Sequence, residues 1–396
     1  MGSRRNNLNN VALKIIKVMK TKIAALTILT AVSNSLLGFL EFDRGQIFLE
    51  TTFQGTHDNN ITGNANGESD LILLLDPTLI YERKSGKGSL SASAGVSFLR
   101  YNDFDQFDSE NIHADFNLDF PVTQGSRLSG GIDLGYTERT EVDEFVNDLI
   151  VSENTNLNLN GQYQIRPRVS VTGRIGYNDR ATDQFSDVTD EFATVGLLID
   201  EIWQDVGVTI DYRKRNVTSS GDFGTERDDK DDSISLGVVG QILPEHLFPK
   251  LDAFASFSFQ TVETERDGVR SKQDVIGYNG GISWEARPTT SLELTFNRDV
   301  NVSVLDESIE SSIISFGIQQ QFSQLVEGGI NIYFRDSDFL DSDRTDERLG
   351  IGANLQAQLG RNWTAGARIS YEEGDSTREL SNYDRLTTSI FTSFRF

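Results

Sequence analysis

From residue 46 to the end, apolar and polar side chains alternate with period two, segment after segment. In 349–359, Leu349, Ile351, Ala353, Leu355, Ala357 and Leu359 alternate with Gly350, Gly352, Asn354, Gln356 and Gln358. In 156–165, Leu157, Leu159, Gly161, Tyr163 and Ile165 alternate with asparagine and glutamine. In 112–120, Ile112, Ala114, Phe116, Leu118 and Phe120 alternate with His113, Asp115, Asn117 and Asp119. Successive side chains of a strand point to opposite faces, so each segment makes one apolar and one polar face. A helix needs period 3.6, which no long segment shows. The fold class is therefore all-β.

Alternation alone also suits a soluble antiparallel sandwich, with its apolar face inward. Three features favour a transmembrane antiparallel up-and-down β-barrel instead. The strands run about ten residues or more, the length a tilted membrane strand needs (~9–11), against ~5–6 for globular strands. The connections alternate between short periplasmic turns, such as 85–88, 124–126, 166–168, 287–289 and 360–362, and long outer loops around 57–68, 102–110, 138–149, 214–231 and 335–347, as outer-membrane barrels do. Pro121, Pro167, Pro244, Pro249 and Pro288 fall at or beside the short connections, and Pro77 alone interrupts a strand-like run. Finally, Leu386, Thr388, Ile390, Thr392, Phe394 and Phe396 share one face of a last strand that ends in an aromatic residue. Ile390, Phe394 and Phe396 resemble the C-terminal signal read by the barrel-assembly machinery.

The composition fits a barrel better than a packed core. Hydrophobic residues are only 37%, yet Phe (25) and Tyr (10) are plentiful, which disorder would not allow. A barrel needs apolar residues on its outside only, and its interior can be wet. Strand starts near 46, 69, 89, 110, 127, 150, 168, 188, 205, 231, 250, 271, 289, 308, 325, 345, 363 and 382 give about 18 strands, with 16 as the alternative. No segment approaches ~18 consecutive apolar residues, so no transmembrane helix is expected.

The N-terminus reads as an address. Lys20 and Lys22 precede an apolar run from Ile23 to Val32, and Ser33 and Ser35 suit a signal peptidase site. The domain reading is an extension plus secretory signal peptide over 1–38, starting at Met1 or Met19, a short periplasmic lead-in over 39–45, and the barrel over 46–396. The expected place is the outer membrane of a Gram-negative-type bacterium, with lipid and lipopolysaccharide as surroundings. The first 38 residues hold six basic residues and no acid; removing those six from the 36 leaves 30 basic against 60 acidic residues. So acidic a chain is a poor nucleic-acid binder. The absence of Cys removes disulfides, iron–sulfur clusters and thiol catalysis.

Phe53-Gln54-Gly55-Thr56-His57-Asp58-Asn59-Asn60-Ile61, then Ser69 to Pro77, resemble the opening of the beta-barrel porin 2 family of bacterial outer-membrane proteins, as does Gly38-Phe39-Leu40-Glu41-Phe42. The likeness covers the whole chain as architecture and about thirty residues as motif. It implies an outer-membrane barrel of porin type, often encoded beside exopolysaccharide genes, with no known catalytic residues.

A barrel of ~16–18 strands is wide enough for an aqueous channel. On this register the inward charges are Glu50, Asp76, Glu82, Asp115, Asp119, Asp133, Asp211, Asp252, Glu285 and Glu293, against Arg174, Arg213, Arg368, Arg385 and Arg395. Acid rings select cations, so the expectation is a passive channel for small hydrophilic solutes with mild cation preference. The bland reading is that these carboxylates simply solvate a wet wall and pair with the arginines. The alternative function is a non-conducting accessory or surface protein, for example in exopolysaccharide export. The outer loops are acidic at Asp103–Asp108, Asp222–Asp232 and Asp336–Asp343. They lack the calcium-loop spacing, and no metal or cofactor is expected. His57, His113 and His246 are the only histidines. A rim His–Asp pair, for instance His57 with Asp58 or Asp115, is an enzymatic alternative, and the expectation is no enzyme. The chain is too short for a 22-stranded barrel with a plug.

Overall fold

The computed structural model describes residues 40–42 and 45–396, apart from 86–87, 121–126, 144–145, 147, 183–184, 204, 221–225, 244–245, 247, 267, 304, 306 and 379–380. The region read as extension and signal peptide, residues 1–38, lies outside them, as do residues 39, 43 and 44 of the lead-in.

A short strand β1 (Leu40–Phe42) precedes eighteen long ones: β2 (Gly45–Asp58), β3 (Asp70–Ser85), β4 (Gly88–Tyr101), β5 (Ser109–Phe120), β6 (Leu128–Asp143), β7 (Asp148–Arg166), β8 (Val169–Thr182), β9 (Asp187–Trp203), β10 (Val206–Ser220), β11 (Glu226–Gly240), β12 (Leu251–Arg266), β13 (Val269–Arg287), β14 (Thr290–Val302), β15 (Ser308–Gln321), β16 (Val326–Phe339), β17 (Thr345–Gly360), β18 (Trp363–Ser376) and β19 (Tyr383–Arg395). Each of the eighteen pairs antiparallel with the next, and β19 pairs back with β2 from Thr387↔Asp58 to Arg395↔Glu50. Leu49 N–H donates to Phe396 O at 3.0 Å and Phe396 N–H to Leu49 O at 2.9 Å, which sews this seam to its last residue. Below the end of β19, β1 takes the freed edge of β2 through Leu40↔Ile47 and Phe42↔Gly45. No edge strand remains in the ring, as hydrocarbon requires of a spanning sheet.

The pairing sorts the alternation into two surfaces. Phe116, Leu134, Leu157 and Tyr177 lie side by side across β5–β8 on one face; Asn117, Asp133, Asn158 and Gly176 lie side by side on the other. Across β11–β13, Ile234, Phe259 and Ile276 stand in a row, 54%, 63% and 58% exposed. Exposed Phe, Leu and Ile recur round the whole ring. An apolar surface of this extent is stable in lipid, not water.

Pro77 sits inside β3, paired with Thr51 on β2; the register with β4 skips from Leu75↔Phe98 to Thr78↔Gly95. A proline has no N–H for a ladder, so the gap falls where the donor is missing.

The loops differ from expectation. The regions around 138–149, 214–231 and 335–347 are mostly strand: β6 reaches Asp143, β10 reaches Ser220, β11 begins at Glu226, and β16 reaches Phe339. Only 59–69 and 102–108 are long at that end, whereas the widest turn at the opposite end is 241–250. The two ends are called the loop end and the turn end below; outer-membrane barrels keep the turn end in the periplasm.

Candidate pore lining and constriction

Inward side chains of the turn half enclose a cavity of about 1280 Å³ whose lining includes Asp119, Arg174, Asp211 and Arg213. A second cavity of about 540 Å³, between β2 and β17–β19, is lined by Glu50, Arg361, Arg368, Arg395 and amide and hydroxyl side chains. Of the other sequence-predicted positions, Glu82 accepts from Arg395 Nη2 at 2.8 Å across the width of β2. Asp115 accepts from Ser93 Oγ at 3.5 Å. Asp133 lies opposite Asn117, Asp252 opposite Ser283, and Glu293 opposite both Ser283 and Gly317. Asp119, Asp133, Asp252 and Glu293 make no ion pair among the described residues. Glu285 stands elsewhere: it follows a register shift in β13 and pairs with Lys250 at 2.5 Å on the exposed rim of the turn end.

The loop end is built differently. Arg213 Nη2 meets Asp231 at 2.7 Å, and its Nη1 meets Asp299 at 3.6 Å. Arg215 holds Asp190 at 2.9 and 3.0 Å and donates to Val300 O at 2.9 Å and Asn301 Oδ1 at 3.1 Å. Arg227, with its side chain 1% exposed, holds Asp229 at 3.0 Å and Asp341 at 2.6 Å, and donates to Ser308 Oγ. Asp341 also accepts the Ser308 N–H at 2.8 Å. Neighbouring strands stand ~4.8 Å apart. β10 and β14 are separated by three strands, and β11 and the 340–344 loop by four, so no side chain joins them along the wall. These contacts pass through the interior and constrict the loop end.

Segment 59–69 narrows it from the other side. Ile61, 1% exposed, packs with Tyr101 and Leu149, flanked by Leu99, Phe104 and Phe107. Asn60 Nδ2 donates to Asn64 O and Asp384 O at 3.0 and 3.1 Å. Asp70 accepts the N–H groups of Asp103 and Phe104 at 3.1–3.2 Å, tying 102–108 to the same cluster. Arg385 holds Asp58 beneath it at 2.7 Å.

Asp341, outside the strands, has its carboxyl held below its ordinary pKa. Burial pushes the value up, and the Arg227 guanidinium and Ser308 N–H outweigh it. Sequence reading included Arg213, assigned Asp229, Asp231 and Asp341 only to acidic outer loops, and missed Arg215, Arg227, Asp190 and Asp299. The in-phase series 213, 215, 217, 219 and 227, 229, 231, 233 was the signal available.

The acidic "loops" are absorbed into the wall. Asp229 and Asp231 face inward, and Asp336 and Asp338 face outward on β16, paired with Glu347 and Thr345. Asp108 accepts the Tyr101 N–H at 2.8 Å. Among the described residues no group of His, Asp and Glu has metal-binding geometry.

His57 is exposed, and strand alternation puts its neighbour Asp58 on the other face with Arg385. The histidine that meets a carboxylate is His113. Its Nε2 is 2.9 Å from Thr78 Oγ1 and 3.7 Å from Asp76 Oδ1. Both partners meet the same nitrogen, so no carboxylate orients Nδ1 as a nucleophile's base requires.

At the turn end Trp363, Phe394 and Phe396 stack in sequence with centroids 5.6 and 6.4 Å apart, and Trp363 Nε1 donates to Thr392 at 2.5 Å. Ile390, on the same outward face, is 70% exposed. Barrel proteins carry such aromatic girdles at the interface.

Residues 264–395, from the end of β12 through β19, match the family model described as "Putative beta-barrel porin 2". No curated protein sequence matches the chain. Among solved structures, the chain is similar to Pseudomonas aeruginosa OccK2 (OpdF), at 9% identity and TM-score 0.45, covering 91% of this chain and 99% of that one. It is similar to Acinetobacter baumannii OccAB3 at 11% identity and TM-score 0.47, over 89% and 99%. It is also similar to the FrpB iron transporter from Neisseria meningitidis at 8% identity and TM-score 0.48, over 87% and 63%.

Proposed function

We propose that this outer-membrane β-barrel, porin-like in fold, is a passive channel for small hydrophilic solutes with a mild preference for cations. One observation carries the reading: a polar inner wall surrounds a cavity of about 1280 Å³, and Asp119 lines it without an ion-pair partner among the described residues. Carboxylates left unpaired in a wet lumen attract cations and repel anions. Asp133, Asp252 and Glu293 share the inner face and the same unpaired state. The paired charges at the loop end set the width of the passage, so the same barrel has a wide turn half and a narrow mouth. Export through a signal in 1–38, and insertion by the assembly machinery through Ile390, Phe394 and Phe396, belong to this reading, as does lipopolysaccharide around the outer rim.

The test is to refold the chain without residues 1–38 into a planar bilayer under a KCl gradient. Discrete current steps with a cation-biased reversal potential are expected. A folded, inserted barrel that passes no current would overturn the channel and leave a surface or accessory role.

A further inference from the structure

In the 540 Å³ cavity between β2 and β17–β19 bases outnumber acids three to one, whereas the lining of the larger cavity mixes Lys84, Arg174, Arg213 and Arg298 with Asp119, Asp211 and Asp299. Three arginines line the smaller cavity, Arg361 in the β17–β18 turn, Arg368 in β18 and Arg395 in β19, against the single carboxylate of Glu50. Elsewhere on the inner wall Arg213, Arg215, Arg227 and Arg385 each hold a carboxylate at 2.6–2.9 Å, while Arg174 stands without an ion pair among the described residues in the larger cavity, which Asp119 and Asp211 also line. Arg395 is held by Glu82 at 2.8 Å, with its guanidinium 3.9 Å above the Phe48 ring. Arg361 and Arg368 are two unpaired arginines in one cavity. Both are exposed and make no hydrogen bond or ion pair among the described residues. In a chain with 60 acidic and 36 basic residues, two guanidiniums without a carboxylate in one small cavity stand out.

The rest of the lining narrows the class of ligand. Gln54, Gln356, Gln358 and Asn362 offer amide donors and acceptors, and Ser393 and Thr52 offer hydroxyls. This set matches a molecule rich in hydroxyl groups. Phe391 lines the same cavity and lies against Gly366 of β18, where any Cβ would collide with its ring. A ring set flush into the wall is a stacking surface for the C–H face of a pyranose. Guanidinium forks recognise carboxylates bidentately. The volume lies in the range of small-ligand sites, ~300–1,000 Å³. We infer that this cavity is a binding subsite for an acidic sugar, a uronate or a short uronate-containing oligosaccharide, with Arg361 and Arg368 on the carboxylate and Phe391 and the glutamines on the ring. The inference rests on the channel reading and deepens it: it makes the turn end an anion-binding station inside the pore.

The test is binding, which does not require conduction. The detergent-solubilised barrel is titrated at low salt with galacturonate and, separately, with galactose, by ligand-observed NMR. Wild type is expected to bind galacturonate about tenfold or more tightly than galactose. R361Q/R368Q loses that preference and leaves galactose unchanged. E50Q, which removes the one acid of the cavity, tightens galacturonate severalfold, a gain that a purely structural role for Glu50 does not predict. Heat-modifiable mobility on a gel verifies folding of each variant, and R368Q alone serves where the double variant fails to fold. Equal binding of the two sugars, or a folded variant that binds galacturonate as wild type does, overturns the subsite. A barrel that binds galacturonate but carries no ionic current overturns the channel and keeps the subsite; a conducting barrel with no uronate preference does the reverse.

Discussion

Replacing Arg227 by Gln tests whether the loop-end constriction is a latch. The guanidinium is 1% exposed, its partner Asp229 is 5% exposed, and it bridges β11 to the 340–344 loop through Asp341. Taking one partner from a buried pair leaves the other charge desolvated, at a cost of ~3–5 kcal/mol. Here the stranded carboxylates can escape that cost, because moving the β10–β11 tip away from β14–β15 returns them to water. Taking about 3 kcal/mol of lost closed-state stability, and tenfold per ~1.4 kcal/mol, the ratio of open to constricted mouths rises about 100-fold. Single-channel recording should show a larger dominant conductance for R227Q, with an unchanged urea midpoint for the barrel as a whole. A drop of the urea midpoint alongside an unaltered conductance would refute the reasoning, since the cluster would then be ordinary wall packing.

Other outcomes are expected. Acidification should open the same mouth late: the Asp341 carboxyl is depressed, so its contribution is complete above the ordinary value of 3.8 and is lost only as pH falls through the lower folded value. Conductance should therefore be flat from neutral pH to about 4 and rise only below that; a rise already at pH 6 would point to another group. The triple variant D119N/D133N/E293Q should move the reversal potential toward zero in a KCl gradient while gel mobility stays that of a folded barrel; an unmoved potential would show that these carboxylates do not sense the permeating ion. Deleting Phe396 removes the two backbone bonds to Leu49 and one end of the Trp363–Phe394–Phe396 stack. Refolding yield in lipid should fall severalfold, as read from the heat-modifiable fraction; wild-type yield would show that the seam closes without its last residue.

Strand positions were largely legible because lipid on one side and water on the other impose period two. Expected starts at 46, 69, 308, 345 and 363 fall at Gly45, Asp70, Ser308, Thr345 and Trp363. The largest miss is informative. β11 begins at Glu226 rather than near 231, because its first turn of side chains is charged on both faces. Arg227, Asp229 and Asp231 point inward while Asp228, Lys230 and Asp232 point outward, so the geometry alternates but the hydropathy does not. Above the apolar band, water wets both sides of a strand, and the pattern used to find strands disappears while the strand continues. The constriction was illegible for a second reason. Arg215 meeting Asn301, or Arg227 meeting Asp341, depends on the curvature of the closed ring, which no local spacing encodes. The paired His113 and Asp76 were hidden likewise: they sit on strands of different hairpins, with β4 between them.

The seam between β19 and β2 sets this chain apart from a globular domain of equal size. Every other long strand bonds only to its predecessor and successor, so the protein is topologically a linear string of hairpins made circular by one junction. The intermediate steps of assembly can be local and quick, while closure joins strands at opposite ends of the barrel sequence and must wait for both. The same circularity makes circumference an adjustable quantity: duplication or loss of one whole hairpin leaves all remaining neighbour relations, and the seam, intact. Pore width can thus be altered in discrete increments by gene-level copying of a single structural unit, without any new interface having to be invented.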